Sequence, residues 1–156
     1  MQALPHQYNV HAEAHSDNRL TVKVDNLDEL AIAPPQNFGG PGDQWSPEDL
    51  FMASVASCFI LSFRAIARGS KLSWSSLNCS SQGTLEKVNG VLKFTNIVTS
   101  VSLTIPTSES PDTARRILAK ADKSCLVANS LNCEIQLEIV AITQTDSTDL
   151  GRSGTD

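Results

Sequence analysis

The sequence predicts an α+β fold, and three observations carry that prediction. Residues 46–68, "SPEDLFMASVASCFILSFRAIAR", form a helix-like run that is apolar nearly all round. A hairpin pattern follows it, joined at Asn89-Gly90. A second, amphipathic helix and a single alternating strand come last. Strands and helices are therefore grouped, not alternated as in a doubly wound sheet. With 156 residues the chain is long enough for one domain with a real core. That domain is expected over residues 1–143, with a polar, disordered tail over 144–156.

Each element follows from local chemistry. Residues 7–13 and 20–33 carry short β-like runs, split by "HSDNR", a turn sequence. "APPQNFGGPGDQW" (33–45) is a Pro/Gly-rich loop. Ser46 is a natural N-cap, with Pro47 at the first helical position and Glu48 and Asp49 in the first turn. Gly69 is placed to end the helix. A helix apolar on every side is a buried helix, and one small domain offers little to cover it. An obligate homodimer is the expected solution.

Strands over 71–86 and 91–105 form the hairpin, with Asn89-Gly90 as its turn. Ser110-Pro111-Asp112 opens the second helix, whose stripe is Ala114, Ile117, Leu118 and Ala121, with Cys125 one turn further on. "LVANSL" reads as a short helical segment. In the last strand, 132–142, Cys133, Ile135, Leu137, Ile139 and Ala141 share one face.

Composition narrows the function. A net charge of −5 and a pI near 5.1 argue against nucleic acid or an anionic membrane as partner. The N-terminus shows no signal-peptide pattern. The apolar run around Cys58 is broken by serines and read as too short to span a bilayer, which needs about 20 apolar residues. The expectation is a soluble, cytoplasmic protein. "GGPG" at 39–42 lacks a phosphate-binding pattern, and no GxSxG is present. His6, His11 and His15 lack a completing ligand at diagnostic spacing. No metal and no cofactor is expected.

The four cysteines form no CxxC pair. A cysteine inside a helix is ordinarily a small buried hydrophobe. Cys125 changes that reading for Cys58, because an inward-facing thiol on the second helix can meet the first. A peroxide-attacking thiol must be a thiolate, and burial alone raises its pKa. Cys58 lies about three turns from its helix N-terminus and needs a nearby cation. Cys125, near a helix C-terminus, suits a resolving thiol. The chemistry expected is attack on a peroxide O–O bond, a sulfenic acid on Cys58, condensation with Cys125 to a disulfide, and reopening by an external dithiol. Cys79 and Cys133 read as core filler. Glu48 ordinarily stabilises a first helical turn. Ten residues, about 15 Å of helix, separate it from its own Cys58, but in a two-fold dimer it can approach the partner's Cys58.

"SPEDLFMASVASCF", "ADKSCLVANSL" and "WSSLNCSSQGTLE" together resemble the OsmC/Ohr family of osmotically inducible and organic hydroperoxide resistance proteins, over roughly residues 8–142. The resemblance implies an intertwined α+β homodimer, with antiparallel sheets wrapped around two long central helices. It also implies a thiol peroxidase using a dithiol or lipoyl-type reductant. Cys58 matches the peroxidatic thiol, Cys125 the resolving thiol, and Glu48 the acid that positions an activating arginine. The sequence departs at that arginine: the family's two locations for it fall near Asp17 and Phe38. Arg19 is the nearest substitute, and without a delivered cation Cys58 reacts slowly. Leu126 also stands where proline is common. The runner-up reading is a non-enzymatic dimer of the same fold. It either binds a small apolar ligand in a dimer-interface pocket lined by Phe51, Phe59 and Leu61, or senses redox state without turnover.

Overall fold

Residues 3–17 and 20–146 are described by the computed structural model of this chain. Contacts divide the chain into two units, Met1–Phe51 and Met52–Asp156. The first holds β1 (His11–Ala14), β2 (Leu20–Lys23) and β3 (Leu30–Ala31), an antiparallel sheet in the order β1-β2-β3. The β-like run expected over 20–33 is thus two strands. Asn26 at φ 63° turns the chain between them, and the Leu27 N–H donates to the Val24 carbonyl. A single 3-10 turn, Gln36–Phe38, follows.

Helix α1 (Pro47–Gly69) opens as its sequence requires. The Asp49 N–H donates to Ser46 Oγ at 3.0 Å, and the Ser46 N–H donates to Asp49 Oδ2 at 3.0 Å. The Ser46 hydroxyl also donates to Asp49 Oδ2 at 2.7 Å. This reciprocal box satisfies two otherwise orphaned amides, and these hydrogen bonds hold the Asp49 carboxyl below its usual pKa. The far end differs from expectation. Gly69 is still helical, and the left-handed residue is Lys71, at φ 56°. The Leu72 N–H reaches the Ala67 carbonyl and the Lys71 N–H the Arg68 carbonyl, the double closure of a Schellman motif. The closure brings Leu72, 6% exposed, into the core, which outweighs the cost of a left-handed lysine.

The second unit is built on a three-stranded sheet, β4 (Ser76–Val88), β5 (Val91–Pro106) and β6 (Glu134–Thr145), in the order β4-β5-β6. Asn89 (φ 51°) and Gly90 (φ 84°) make the tight β4–β5 turn. This sheet is not wholly antiparallel, as expected, but mixed: β5 and β6 run parallel. The physical reason is the crossover between them, α2 (Pro111–Ser124) and α3 (Leu126–Asn129), since parallel neighbours need a long connection. The β5–β6 register shifts at Val101/Ser102, leaving Val140 outward between half-buried Ile139 and Ala141. Strand β6 reaches Thr145, beyond the expected boundary at residue 142. Residues 147–156 of the expected tail lie outside the described residues.

The core gathers Phe59, Phe63 and Ala67 of α1, Val101, Leu103 and Ile105 of β5, and Ala114, Ile117, Leu118 and Ala121 of α2. The α2 stripe is thus the one read from the sequence. Trp74 meets Phe63 edge-on, with ring centroids 5.3 Å apart. Gly83 is needed on β4: a Cβ there would lie 2.8 Å from the Phe94 ring and 2.9 Å from Met52 Cε.

Helix α1 is not buried on every side within the chain. One ridge, Val55, Phe59, Phe63 and Ala67, is buried, while Ser57, Leu61, Arg64, Ala65 and Arg68 are exposed. By length and composition the helix is also long and apolar enough to cross a membrane, contrary to the sequence reading. Instead, its buried ridge packs into the core.

Candidate functional site: a thiol pair beside the core

Helical geometry sets the position of Cys58. Its neighbour Phe59 points into the core at 2% exposure, so Cys58, a hundred degrees around the helix, lies at the core's edge and is half-buried. Cys125 continues the α2 stripe one turn beyond Ala121 and is 1% exposed. It is the last residue before α3, so it caps both helices. Cys58 lies near enough to influence the Cys125 thiol, and all four cysteines are free thiols. The fold therefore brings together the two cysteines that the sequence paired.

The surroundings of Cys125 decide its chemistry. Burial is the largest influence and pushes the thiol up to about 11, from an ordinary value of 9.0. The Ala128 amide, at the start of α3, pulls the other way, with a smaller contribution from Val127. The nearby Cys58 side chain raises Cys125 further. The sequence reading placed Cys125 only at a helix C-terminus and missed the opposing α3 amides. Burial wins nonetheless, and Cys125 keeps its proton at neutral pH. A thiol that holds its proton is a poor attacking nucleophile.

Cys79 packs against the core, as the sequence reading expected. It faces inward on β4 opposite Val101 and is half-buried. Burial lifts its thiol to about 11, and the nearby Cys125 adds to that. Its inward position was legible from its alternation with Leu77. Its nearness to Cys125 depends on how α2 crosses the sheet, which no local pattern encodes. Cys133 stands just before β6 and is half-buried.

Glu48 lies in the first turn of α1, ten residues before Cys58, about 15 Å along a helix. Its Oε2 is buried and has no hydrogen-bond partner among the described residues. Glu48 also lines a cavity of about 390 Å³ with Leu20, Ile32, Pro34, Pro35 and Phe38. An aromatic ring, Phe38, thus shares the carboxylate's cavity at one of the positions where an arginine was sought. Arg19, the other candidate, lies outside the described residues. Of the residues expected to line an apolar pocket at a dimer interface, Phe59 is buried in the core, whereas Leu61 is 61% exposed. Among the described residues no group of three His, Cys, Asp or Glu side chains is arranged to hold a metal.

Comparison with known proteins agrees with this fold. Residues 40–140 match the OsmC-like protein family. YmaD, an uncharacterized protein of Bacillus subtilis (strain 168), is 28% identical over 123 residues, 76% of this chain and 81% of that one. An OsmC-like protein of unknown function from Vibrio cholerae superposes with a TM-score of 0.76 at 19% identity, covering 88% of this chain and all of its own. An organic hydroperoxide resistance protein OsmC from Legionella pneumophila gives 0.68 at 24% identity, over 89% and 99% of the two chains. The organic hydroperoxide resistance protein OhrB of Bacillus subtilis gives 0.64 at 20% identity, over 84% and 96%. At these identities the structural likenesses speak for the fold.

Proposed function

The chain belongs to the OsmC-like protein family, and from that footing we propose that it is a thiol-dependent peroxidase acting on organic hydroperoxides, with hydrogen peroxide as a second substrate. A redox role is supported at the level of the family, which includes named organic hydroperoxide resistance proteins. The single observation that supports the finer reading is the nearness of Cys58 to Cys125, on two different helical elements.

In this reading the Cys58 thiolate attacks the distal peroxide oxygen, the O–O bond breaks, and the alkoxide leaves as an alcohol after taking up a proton. Cys58 is left as a sulfenic acid. The Cys125 sulfur then attacks the Cys58 sulfur; hydroxide and the Cys125 proton leave as water, and a disulfide forms. An external dithiol of lipoyl type returns both thiols, so the cycle needs no bound cofactor. Arg19 is assigned the activating charge and Glu48 its anchor. A homodimer covers the exposed face of α1 and lets Glu48 of one protomer serve its partner's site. A cytoplasmic setting keeps both thiols reduced between turnovers.

The test is consumption of cumene hydroperoxide with dihydrolipoamide in excess. Many equivalents consumed per chain, and none by Cys58→Ser, is the expected result. One specific observation favours a second reading, a redox sensor that oxidises once: the Glu48 oxygen has no cationic partner among the described residues. A sensor consumes no more than stoichiometric peroxide in the same assay.

A further inference from the structure

The cavity of about 390 Å³ beside Glu48 is built wholly from residues of the first unit. Its wall is apolar apart from that one side chain: Leu20, Ile32, Phe38 and three prolines carry most of it. The loop that shapes it is held in place. Proline fixes φ near about −65°. The Ile32 N–H donates to the Leu20 carbonyl at 2.9 Å, and the Ala33 N–H to the Trp45 carbonyl at 3.0 Å. The Gly40 N–H returns to the Pro35 carbonyl at 3.1 Å. A Cβ at Gly40 would lie 1.6 Å from the Pro34 carbonyl oxygen, so only glycine lets the loop fold back this closely. The cavity is therefore a preformed feature of the loop, which lowers the ordering cost of filling it.

Glu48 is the anomaly in this wall. The neighbouring acid, Asp49, is satisfied by the Ser46 amide and hydroxyl. Glu48 Oε2 is buried and has no hydrogen-bond partner among the described residues. A carboxylate accepts hydrogen bonds and donates none, and no other side chain in the wall carries a donor. The donor has to be brought in. Leaving a buried carboxylate oxygen unpaired is costly, and a donor that is itself cationic offsets that cost best. Phe38 adds an aromatic ring to the same wall, a second group that attracts a cation. The remaining surface calls for an apolar body.

We propose that this cavity binds a small apolar ammonium compound, a primary amine carried on an aryl or short alkyl body. The ammonium donates to the Glu48 carboxylate, and the body lies among Ile32, Phe38 and the prolines. Cys58 takes no part, so the site stands whether or not the chain is a peroxidase. Glu48 cannot pair with a ligand cation and with Arg19 at once. Within the peroxidase reading, a bound amine therefore competes with the arginine for its anchor.

The experiment is titration calorimetry on Cys58→Ser protein, which keeps thiol chemistry out of the readout. The probes are phenethylamine, its neutral counterpart phenethyl alcohol, and the anion hydrocinnamate. The amine is expected to bind about tenfold or more tighter than the alcohol, the difference a charge-assisted hydrogen bond makes, with hydrocinnamate weakest. Glu48→Gln keeps the shape, removes the charge, and should bring the amine to the level of the alcohol. An amine no tighter than the alcohol overturns the proposal on the unaltered cavity, whatever Glu48→Gln does to folding. Amine binding unchanged in Glu48→Gln overturns it as well. So does amine binding that appears only after Arg19→Ala, because the chain's own arginine then fills the carboxylate. Peroxide turnover by the wild type is read separately, so failure of either reading leaves the other standing.

Discussion

Cys125, only 1% exposed, lies near enough to the half-buried Cys58 for the two thiols to interact. A buried sulfur that holds its proton, placed against a half-buried one at the core's edge, divides the work between them. In the proposed cycle the outer thiol meets the oxidant and the inner one closes the disulfide. Burial, which makes Cys125 a poor nucleophile toward peroxide, costs little once a neighbouring Cys58 carries an electrophilic sulfenic acid.

The raised thiols make stability fall at alkaline pH. Cys125 and Cys79 titrate near 11, against 9.0 for an ordinary thiol. The folded chain therefore binds these protons more tightly than the unfolded chain between those values. Their contribution is complete below pH 9.0 and is lost as pH rises through about 11. Urea midpoints measured across this window should fall with pH, and less steeply in Cys125→Ala. Equal slopes in the two proteins would contradict the assignment.

Gly83→Ala should destabilise the fold by about 1–3 kcal/mol through overpacking. The new Cβ would lie 2.8 Å from Phe94 and 2.9 Å from Met52. Reduced denaturant midpoint at unchanged m-value is the readout. A Gly83→Ala/Met52→Ala double variant should recover part of the loss.

The exposed face of α1 predicts a homodimer. Native mass spectrometry should show twice 16.8 kDa. Leu61, 61% exposed within the chain, is the residue whose change to Glu should shift the population toward monomer. A dimer indifferent to Leu61→Glu would place the interface elsewhere.

Much of the fold was legible because it is written locally. Ser46 and Asp49 announce a helix start, Asn89-Gly90 a hairpin, and the spacing of Ala114, Ile117, Leu118 and Ala121 a buried helix face. What was not legible depends on the path of the chain. Alternation in β6 says which face is buried, but not which way its neighbour runs. Gly69 is the better left-handed residue by propensity, yet Lys71 takes that conformation because the Schellman closure there brings Leu72 into the core. The Cys58–Cys125 pair was readable from two helical stripes, whereas the place of Cys79 beside Cys125 required knowing where α2 ends over the sheet. Glu48 was readable as a first-turn acid, but its unpartnered oxygen was not, since that depends on which side chains surround it.

The central claim, that Cys58 meets the peroxide and Cys125 resolves it, is tested most directly by trapping the intermediate. Cys125→Ser protein is treated with cumene hydroperoxide in the presence of dimedone, and the adduct is located by tandem mass spectrometry. The account predicts a single dimedone adduct, on Cys58, that is absent in the wild type because Cys125 consumes the sulfenic acid first. An adduct on Cys79 or Cys133 with Cys58 unmodified, or no adduct at all, would contradict it.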